Sequence, residues 1–179
     1  ADVYVERLGA SQEALSRRKI LIEADSNSLR IHGEKGDINF IERMFGSNPS
    51  ERITLKLPRQ VALHTKGVNG SVTVGEINGP VDVRGVNGRV QIAGTNGAAE
   101  FKGINGNISL GLKQVNTEGV NLGGINGNVD LQLMQGLNAD FDAHGINGAV
   151  VSDLSGVMID RSKRGSYSGR IGNGGSPIT

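Results

Sequence analysis

From residue 67 onward, apolar residues fall at every second position in short bursts, and a polar pair precedes each burst. The stretch "GVNGSVTVGEINGPVDVRGVNG" (67–88) shows Val72 and Val74, then Val81 and Val83, each set after an Asn-Gly. Asn-Gly recurs at Asn69, Asn78, Asn87, Asn96, Asn105, Asn126 and Asn147, with spacings of 9, 9, 9, 9, 21 and 21 residues. The nonapeptide reads Gly-[Val/Ile/Thr]-Asn-Gly-x-U-x-U-x, where U is apolar. A period of two is the signature of a half-buried strand, and a fixed repeat of this kind is the signature of a stacked architecture.

Asn-Gly is also a strong hairpin signal, so an antiparallel meander is the first alternative. It fits poorly. Residues 71–77 would be one strand, with Val72 and Val74 on a face with Glu76, Ile77 on the other, and Gly75 inside, where glycine weakens pairing. A solenoid accounts for more. Nine residues cannot close a coil around a core, but eighteen can, as two short strands and two corners. The expectation is an all-β, single-domain β-solenoid, parallel β-helix-like, with 18–21 residues per coil.

Stacking the coils gives two inward columns. The first holds Val72/Val74, Val90/Ile92, Ile108/Leu110 and Val129/Leu131, with Val150 continuing it and Ser152 as a polar exception. The second holds Val81/Val83, Ala99/Phe101, Val120/Leu122 and Phe141/Ala143. Segments 103–123 and 124–144 align without a gap as coils enlarged by three residues at one corner. Upstream, "ITLKLPRQVALHTK" (53–66) reads as a degenerate coil, with Ile53/Leu55 in the first column and Leu63/Thr65 in the second.

Corners need residues that tolerate positive φ, which Gly and Asn do at least cost. Stacked coils bring equivalent corners ~4.8 Å apart, close enough for asparagine amides to bond up and down the stack. Asn69, Asn87, Asn105, Asn126 and Asn147 are expected to form one such ladder. Asn78 and Asn96 fall on the opposite edge, which later coils replace with "LKQVNTEG" and "LMQGLNAD".

The beat is absent before residue 50. "SQEALSRRK" (11–19) suggests a short helix with Ser11 near its N-cap. "KILIEADSNSLRIHG" (19–33) reads as two strands about a Ser-Asn-Ser turn, and "FGSNPSE" (45–51) as a loop. Residues 1–50 are thus expected to be capping strands and a short helix covering one end of the repeats, because terminal repeats are normally atypical. Residues 51–179 are expected to be the solenoid. Coils beginning at Gly103, Gly124 and Gly145 imply another near residue 166, which the segment "GRIGNGGSPIT" only partly fills. That open end is a candidate for self-association, since unpaired strand edges invite partners.

Composition narrows the function classes. A net charge of +1 supplies no field drawing the chain to nucleic acid or membrane. Aromatics are 3 %, too few for a stacking platform. With no cysteine there is no disulfide framework and no thiolate metal site. No apolar run approaches the ~18 residues of a membrane span. No segment reads as a signal peptide; the chain starts on Ala, which suits a trimmed leader.

"GVNGxVxV", the strand "ERITLKLP" and the closing "GRIGNGGSPI" together resemble the bacterial adhesin family of β-strand-repeat proteins, over roughly residues 51–179. "GIN" at 103–105, 124–126 and 145–147 is similar to a related adhesin-like domain named for that tripeptide. The resemblance implies a β-solenoid outside the cytoplasm or at the envelope, periplasmic or at the cell surface. It implies an envelope glycan or protein partner and carries no catalytic residue to this chain.

Chemistry-bearing residues are sparse. A calcium-binding nonapeptide needs Asp where this one has neutral Asn and Gly, and His32, His64 and His144 lack metal-ligand spacing. "GNGGSP" departs from the dinucleotide fingerprint at Pro177. Asp140 and Asp142 flank Phe141 and point outward; as a glycosidase pair they would need a cleft, and the plainer reading is solvated strand charge. "RSKRGSYSGR" (161–170) gathers Arg161, Lys163, Arg164 and Arg170 around Tyr167 as a candidate loop for an anionic ligand. The leading expectation is therefore a non-catalytic interaction module with no cofactor, no metal and no nucleic-acid partner. A ligand would contact the edge at 112–119 and 133–140, or the basic loop. A self-assembling scaffold in the manner of bactofilin-like β-helices is the alternative, and a polysaccharide-active enzyme ranks last.

Overall fold

The structure, a computed structural model, describes residues 2–8, 18–25, 28–35, 50–145, 150–152, 157–163 and 165–179. Among these every regular element is a strand. The chain divides into two compact units at Leu57/Pro58.

The first unit contains two antiparallel ribbons. Strands β1 (Asp2–Leu8) and β4 (Ser50–Lys56) form one. Strands β2 (Arg18–Ala24) and β3 (Leu29–Lys35) form the other. The turn of the second is closed by Asp25, whose backbone N–H donates to Ser28 O at 2.9 Å and whose carboxylate accepts from Ser28 N at 2.6 Å. Two expectations change here. Ile53 and Leu55 do not enter the first column: β4 pairs antiparallel with β1, facing Val5 and Val3. Nor are residues 11–19 a helix throughout, because Arg18 and Lys19 belong to β2; residues 11–17 and 45–49 lie outside the described residues.

The second unit is the solenoid. Its strands are β5 (Leu63–Lys66), β6 (Val72–Ile77), β7 (Val81–Arg84), β8 (Val90–Thr95), β9 (Ala99–Asn105) and β10 (Ile108–Leu112). They continue as β11 (Val120–Asn126), β12 (Val129–Leu133), β13 (Ala139–His144), β14 (Val157–Lys163), β15 (Ser166–Ile171) and β16 (Pro177–Ile178). A four-stranded sheet runs β12-β10-β8-β6, and an eight-stranded sheet runs β14-β15-β13-β16-β11-β9-β7-β5. The repeat strands pair in parallel at the repeat's own register: Val72 faces Val90, Val81 faces Ala99, and in the larger coils Ile108 faces Val129 and Ala99 faces Val120.

Period-two alternation becomes burial in both sheets. Val83, Val90, Ile92, Phe101, Ile108 and Leu110 are essentially sealed from solvent. The corners add two further inward columns. The residue before each described ladder asparagine points into the core, with Val86 and Ile104 buried and Val68 and Ile125 packed against the core. At the opposite corner Ile77, Thr95 and Leu112 are buried, and Leu112 takes the register position of Thr95.

The corner conformation belongs to glycine alone. Positive φ occurs at Gly67, Gly85, Gly103 and Gly124 (61–69°) and again at Gly70, Gly88, Gly106 and Gly127 (147–155°). Among the described residues no asparagine shares it. At Gly88, Gly106 and Gly127 a Cβ would also collide with the preceding coil: one on Gly106 would lie 2.1 Å from Gly88 O, whereas Gly70, in the first such corner, has open space there. Asparagine is therefore not there for its backbone, as expected from the sequence, but for its side chain.

The C-terminal half departs from the expected stack in three places. Residues 150–152 are not in a strand, and Val151 is 84 % exposed, so Val150 does not extend the first column; β12 is the edge of its sheet. No further coil starts near residue 166, because β14 and β15 form an antiparallel hairpin and β15 pairs antiparallel with β13. Most consequentially, Phe141 does not sit on Val120: Ile178 lies between them, facing Val120 on one side and Phe141 on the other. The C-terminal strand is threaded into the sheet between two successive coils, and Ile178 is fully buried. The final residues are thus paired on both sides instead of standing open.

Candidate interaction surfaces

The asparagine corner builds a continuous ladder. Asn87 Nδ2 donates to Asn69 Oδ1 at 3.3 Å, Asn105 Nδ2 to Asn87 Oδ1 at 3.1 Å, and Asn126 Nδ2 to Asn105 Oδ1 at 3.1 Å. Backbone bonds run alongside: Asn87 N–H donates to Val68 O, and Gly88 N–H to Asn105 O. Each amide donates in one direction, so the edge is a polar column largely satisfied from within. Asn147 lies outside the described residues. The opposite edge has no equivalent: Asn96 Oδ1 is buried without a partner, and the buried Thr95 hydroxyl accepts from Gly97 N–H at 3.2 Å.

The outer face of the eight-stranded sheet carries interlocked charges. His64 lies 3.5 Å from Asp82; Arg84 bonds Asp82 at 2.7 Å and Glu100 at 2.6 Å; Lys102 also pairs with Glu100. The Arg84 hydrogen bond holds the Asp82 carboxyl below its ordinary range, with His64 adding to the effect. Lys102 does the same for Glu100, helped by the charge of Arg84. Glu76, bonded to Lys113 at 2.7 Å and Arg59 at 2.9 Å, is lowered chiefly by Lys113. All of these groups sit at the surface, where such pairs add little to stability and leave little free charge for a ligand.

Most of the basic segment is strand rather than loop: residues 161–163 are in β14 and residues 166–170 in β15. Arg170 lies 3.5 Å from Asp140. The side chains of Arg161 and Lys163, and Arg164 as a whole, lie outside the described residues, so a shared anion site is not assembled from what is seen. Asp142 is spoken for by His144, whose Nε2 is 3.0 Å away and whose Nδ1 is 3.3 Å from Ser166 Oγ. Asp140 and Asp142 both have exposed side chains on β13. His32 is exposed on β3. No cluster of ligating side chains that could hold a metal ion occurs among the described residues.

The edge at 133–140 is partly occupied by the chain itself. Asn138 Oδ1 accepts from Asn173 N–H at 2.7 Å, and Asp140 Oδ2 accepts from Gly175 N–H at 3.2 Å.

One concave surface was not foreseen. On the outer face of the four-stranded sheet Thr73, Gln91, Ser109 and Asp130 stand in register, one per coil. Beside them, just before the strands, come Arg89, Asn107 and Asn128, with Asn128 N–H donating to Asn107 Oδ1 at 3.1 Å. Together Arg89, Gln91, Asn107, Ser109, Asn128 and Asp130 line an open depression of about 310 Å³. The signal was present as polar residues at the outward positions, but that alternation is common to any solvated strand face. Comparison with protein-family models, with curated proteins and with solved structures finds no match to this chain.

Proposed function

We propose that the repeat unit is a non-catalytic interaction module acting outside the cytoplasm, at the bacterial cell surface or in the periplasm, and that it binds an envelope glycan along the outer face of the four-stranded sheet. The observation that carries this reading is the polar column Thr73–Gln91–Ser109–Asp130, whose last three members line the depression together with Arg89, Asn107 and Asn128. It offers donors and acceptors of low net charge at the ~4.8 Å coil spacing. A polymer of repeating hydroxyl-bearing units presents matching groups at intervals, and weak contacts along it add through multivalency. The resemblance of the repeats to adhesin sequences supports the placement outside the cytoplasm. A non-catalytic reading is in keeping with Asp140 and Asp142, each exposed and paired with a basic side chain.

Chemical-shift mapping with envelope polysaccharide tests the proposal. Perturbation should centre on Gln91, Ser109 and Asn128, and Gln91→Ala with Ser109→Ala should weaken binding about tenfold, the effect of ~1.4 kcal/mol. Perturbation confined to the asparagine ladder, or filaments that pellet without any glycan, would overturn it; the second result would favour the scaffold reading.

A further inference from the structure

The threaded strand β16 is where sequence and structure disagree most. On the four-stranded sheet β12 follows β10 directly at an offset of 21 residues. The same offset joins β11 to β9. Continued once more it would place Phe141 on Val120 and Ala143 on Leu122, the neighbours the repeat itself specifies. Instead β13 is held one strand further away, and β16 fills the gap.

The insert is short, its strand being only Pro177–Ile178. Thr179 N–H donates to Val120 O at 2.8 Å, Leu122 N–H to Thr179 O at 2.6 Å, and Asp140 N–H to Ser176 O at 3.1 Å. Its single large apolar contribution is Ile178. The connection is a clip over the start of β13, since Ile171 pairs with Ala139 on one side and Pro177 with Asp140 on the other. Gly172, Gly174 and Gly175 in that clip all have positive φ, from 60° to 144°. Drawn out, five clip residues reach up to ~17 Å, well beyond the two strand spacings of ~9.6 Å they now bridge.

If β16 leaves, β11 and β13 need not stay apart with bare backbone groups. They have a register of their own in which to close. Release is therefore less costly than opening an ordinary sheet, where both edges would be left unpaired. We propose that β16 is an exchangeable strand, and that the slot between β11 and β13 docks residues 172–179 of a second copy of this chain. The incoming segment is identical to the one seated now, so it reproduces the same backbone bonds and the same buried isoleucine. Reciprocal exchange of one element between two copies is a low-cost route to a closed dimer.

The chain has no cysteine, so engineered thiols report without background. Thr179 lies beside Asn121, between its bonds to Val120 and Leu122, within the Cα separation a disulfide requires. Asn121→Cys and Thr179→Cys chains are mixed at high protein concentration, warmed briefly, cooled and oxidised. Peptide mapping should find a 121–179 link between chains, and its yield should fall at least tenfold when the mixture is diluted a hundredfold. A synthetic peptide of residues 172–179 in excess should suppress the interchain link at least tenfold, a readout that needs no folding-sensitive variant. The double variant Asn121→Cys/Thr179→Cys should link within one chain when dilute. An intrachain link with no interchain link at any concentration overturns the proposal. So does an interchain link indifferent to the peptide, or the absence of both links.

Discussion

The two sheets of the solenoid are built from the same coils, yet only one keeps their order. In the four-stranded sheet β6, β8, β10 and β12 follow one another as the chain does, at offsets of 18, 18 and 21 residues. In the eight-stranded sheet β5, β7, β9 and β11 do likewise, and then β16 intervenes before β13. The inward residues record the difference. Phe101, in the unbroken part, is sealed, whereas Phe141, beyond the insert, is only half-buried. A nonapeptide pattern fixes which side chains face inward and where the chain turns. It does not exclude a competing strand from elsewhere, because a parallel ladder asks its neighbour only for an extended backbone and a suitable inward side chain.

The most damaging change should be at the corner shared by both sheets. Gly106→Ala sets a Cβ 2.1 Å from Gly88 O, and its φ of 151° is one that side-chain-bearing residues avoid. A loss above ~4 kcal/mol in denaturant melts is expected. Gly136→Ala, at φ 84° with open space around its Cβ, should cost only ~1–2 kcal/mol. Comparable losses would mean that the stacked corners are looser than drawn.

Next come the two phenylalanines. Phe101→Ala should cost ~3–5 kcal/mol, as deletion of a sealed aromatic usually does, and Phe141→Ala nearer ~2 kcal/mol, because part of its ring is already in water. Equal losses would indicate that the stack beyond β11 is as well packed as the part before it.

How far these contrasts were legible varies by residue. The inward columns through Val90, Ile92, Phe101 and Leu110 followed from alternation alone. So did the asparagine edge, since recurrence of Asn69, Asn87 and Asn105 every 18 residues puts them at one corner. The corner columns were missed although each ladder asparagine is preceded by Val or Ile; attention to strand positions hid a third inward-facing series. Pro177–Ile178 could not be foreseen as an inserted strand, because two residues carry no periodicity. Strand β4 misled because its Ile53/Leu55 spacing matches a repeat strand, and alternation is blind to whether a neighbour runs parallel or antiparallel. The polar depression was legible only as a solvated face.

The ladder gives a smaller contrast. Asn105 accepts from Asn126 and donates to Asn87, whereas Asn69 only accepts. Asn105→Ala should cost ~2 kcal/mol and Asn69→Ala ~1 kcal/mol, at about 1 kcal/mol per hydrogen bond. Equal, negligible losses would show that water replaces these bonds freely.

The smallest effect is electrostatic. Asp82, Glu100 and Glu76 all have lowered carboxyl pKa values in the folded chain. A lowered folded pKa means that the contribution is complete above the unfolded value near pH 4 and is lost as pH falls below it. The melting temperature should therefore decline slightly between about pH 5 and pH 3, less so in high salt, and less so in Arg84→Gln. A melting temperature that rises on acidification would contradict the pairing scheme.

The division between an ordered and an interrupted sheet is tested most directly by through-space proton contacts in the NMR spectrum of the intact chain. The Ile178 methyls should contact both Val120 and Phe141, Ser109 and Asp130 should show direct cross-strand contacts, and Val120 should show none to Phe141. Direct contacts from Val120 to Phe141 and from Leu122 to Ala143, with Ile178 in solvent, would contradict the threaded strand and restore the uninterrupted stack.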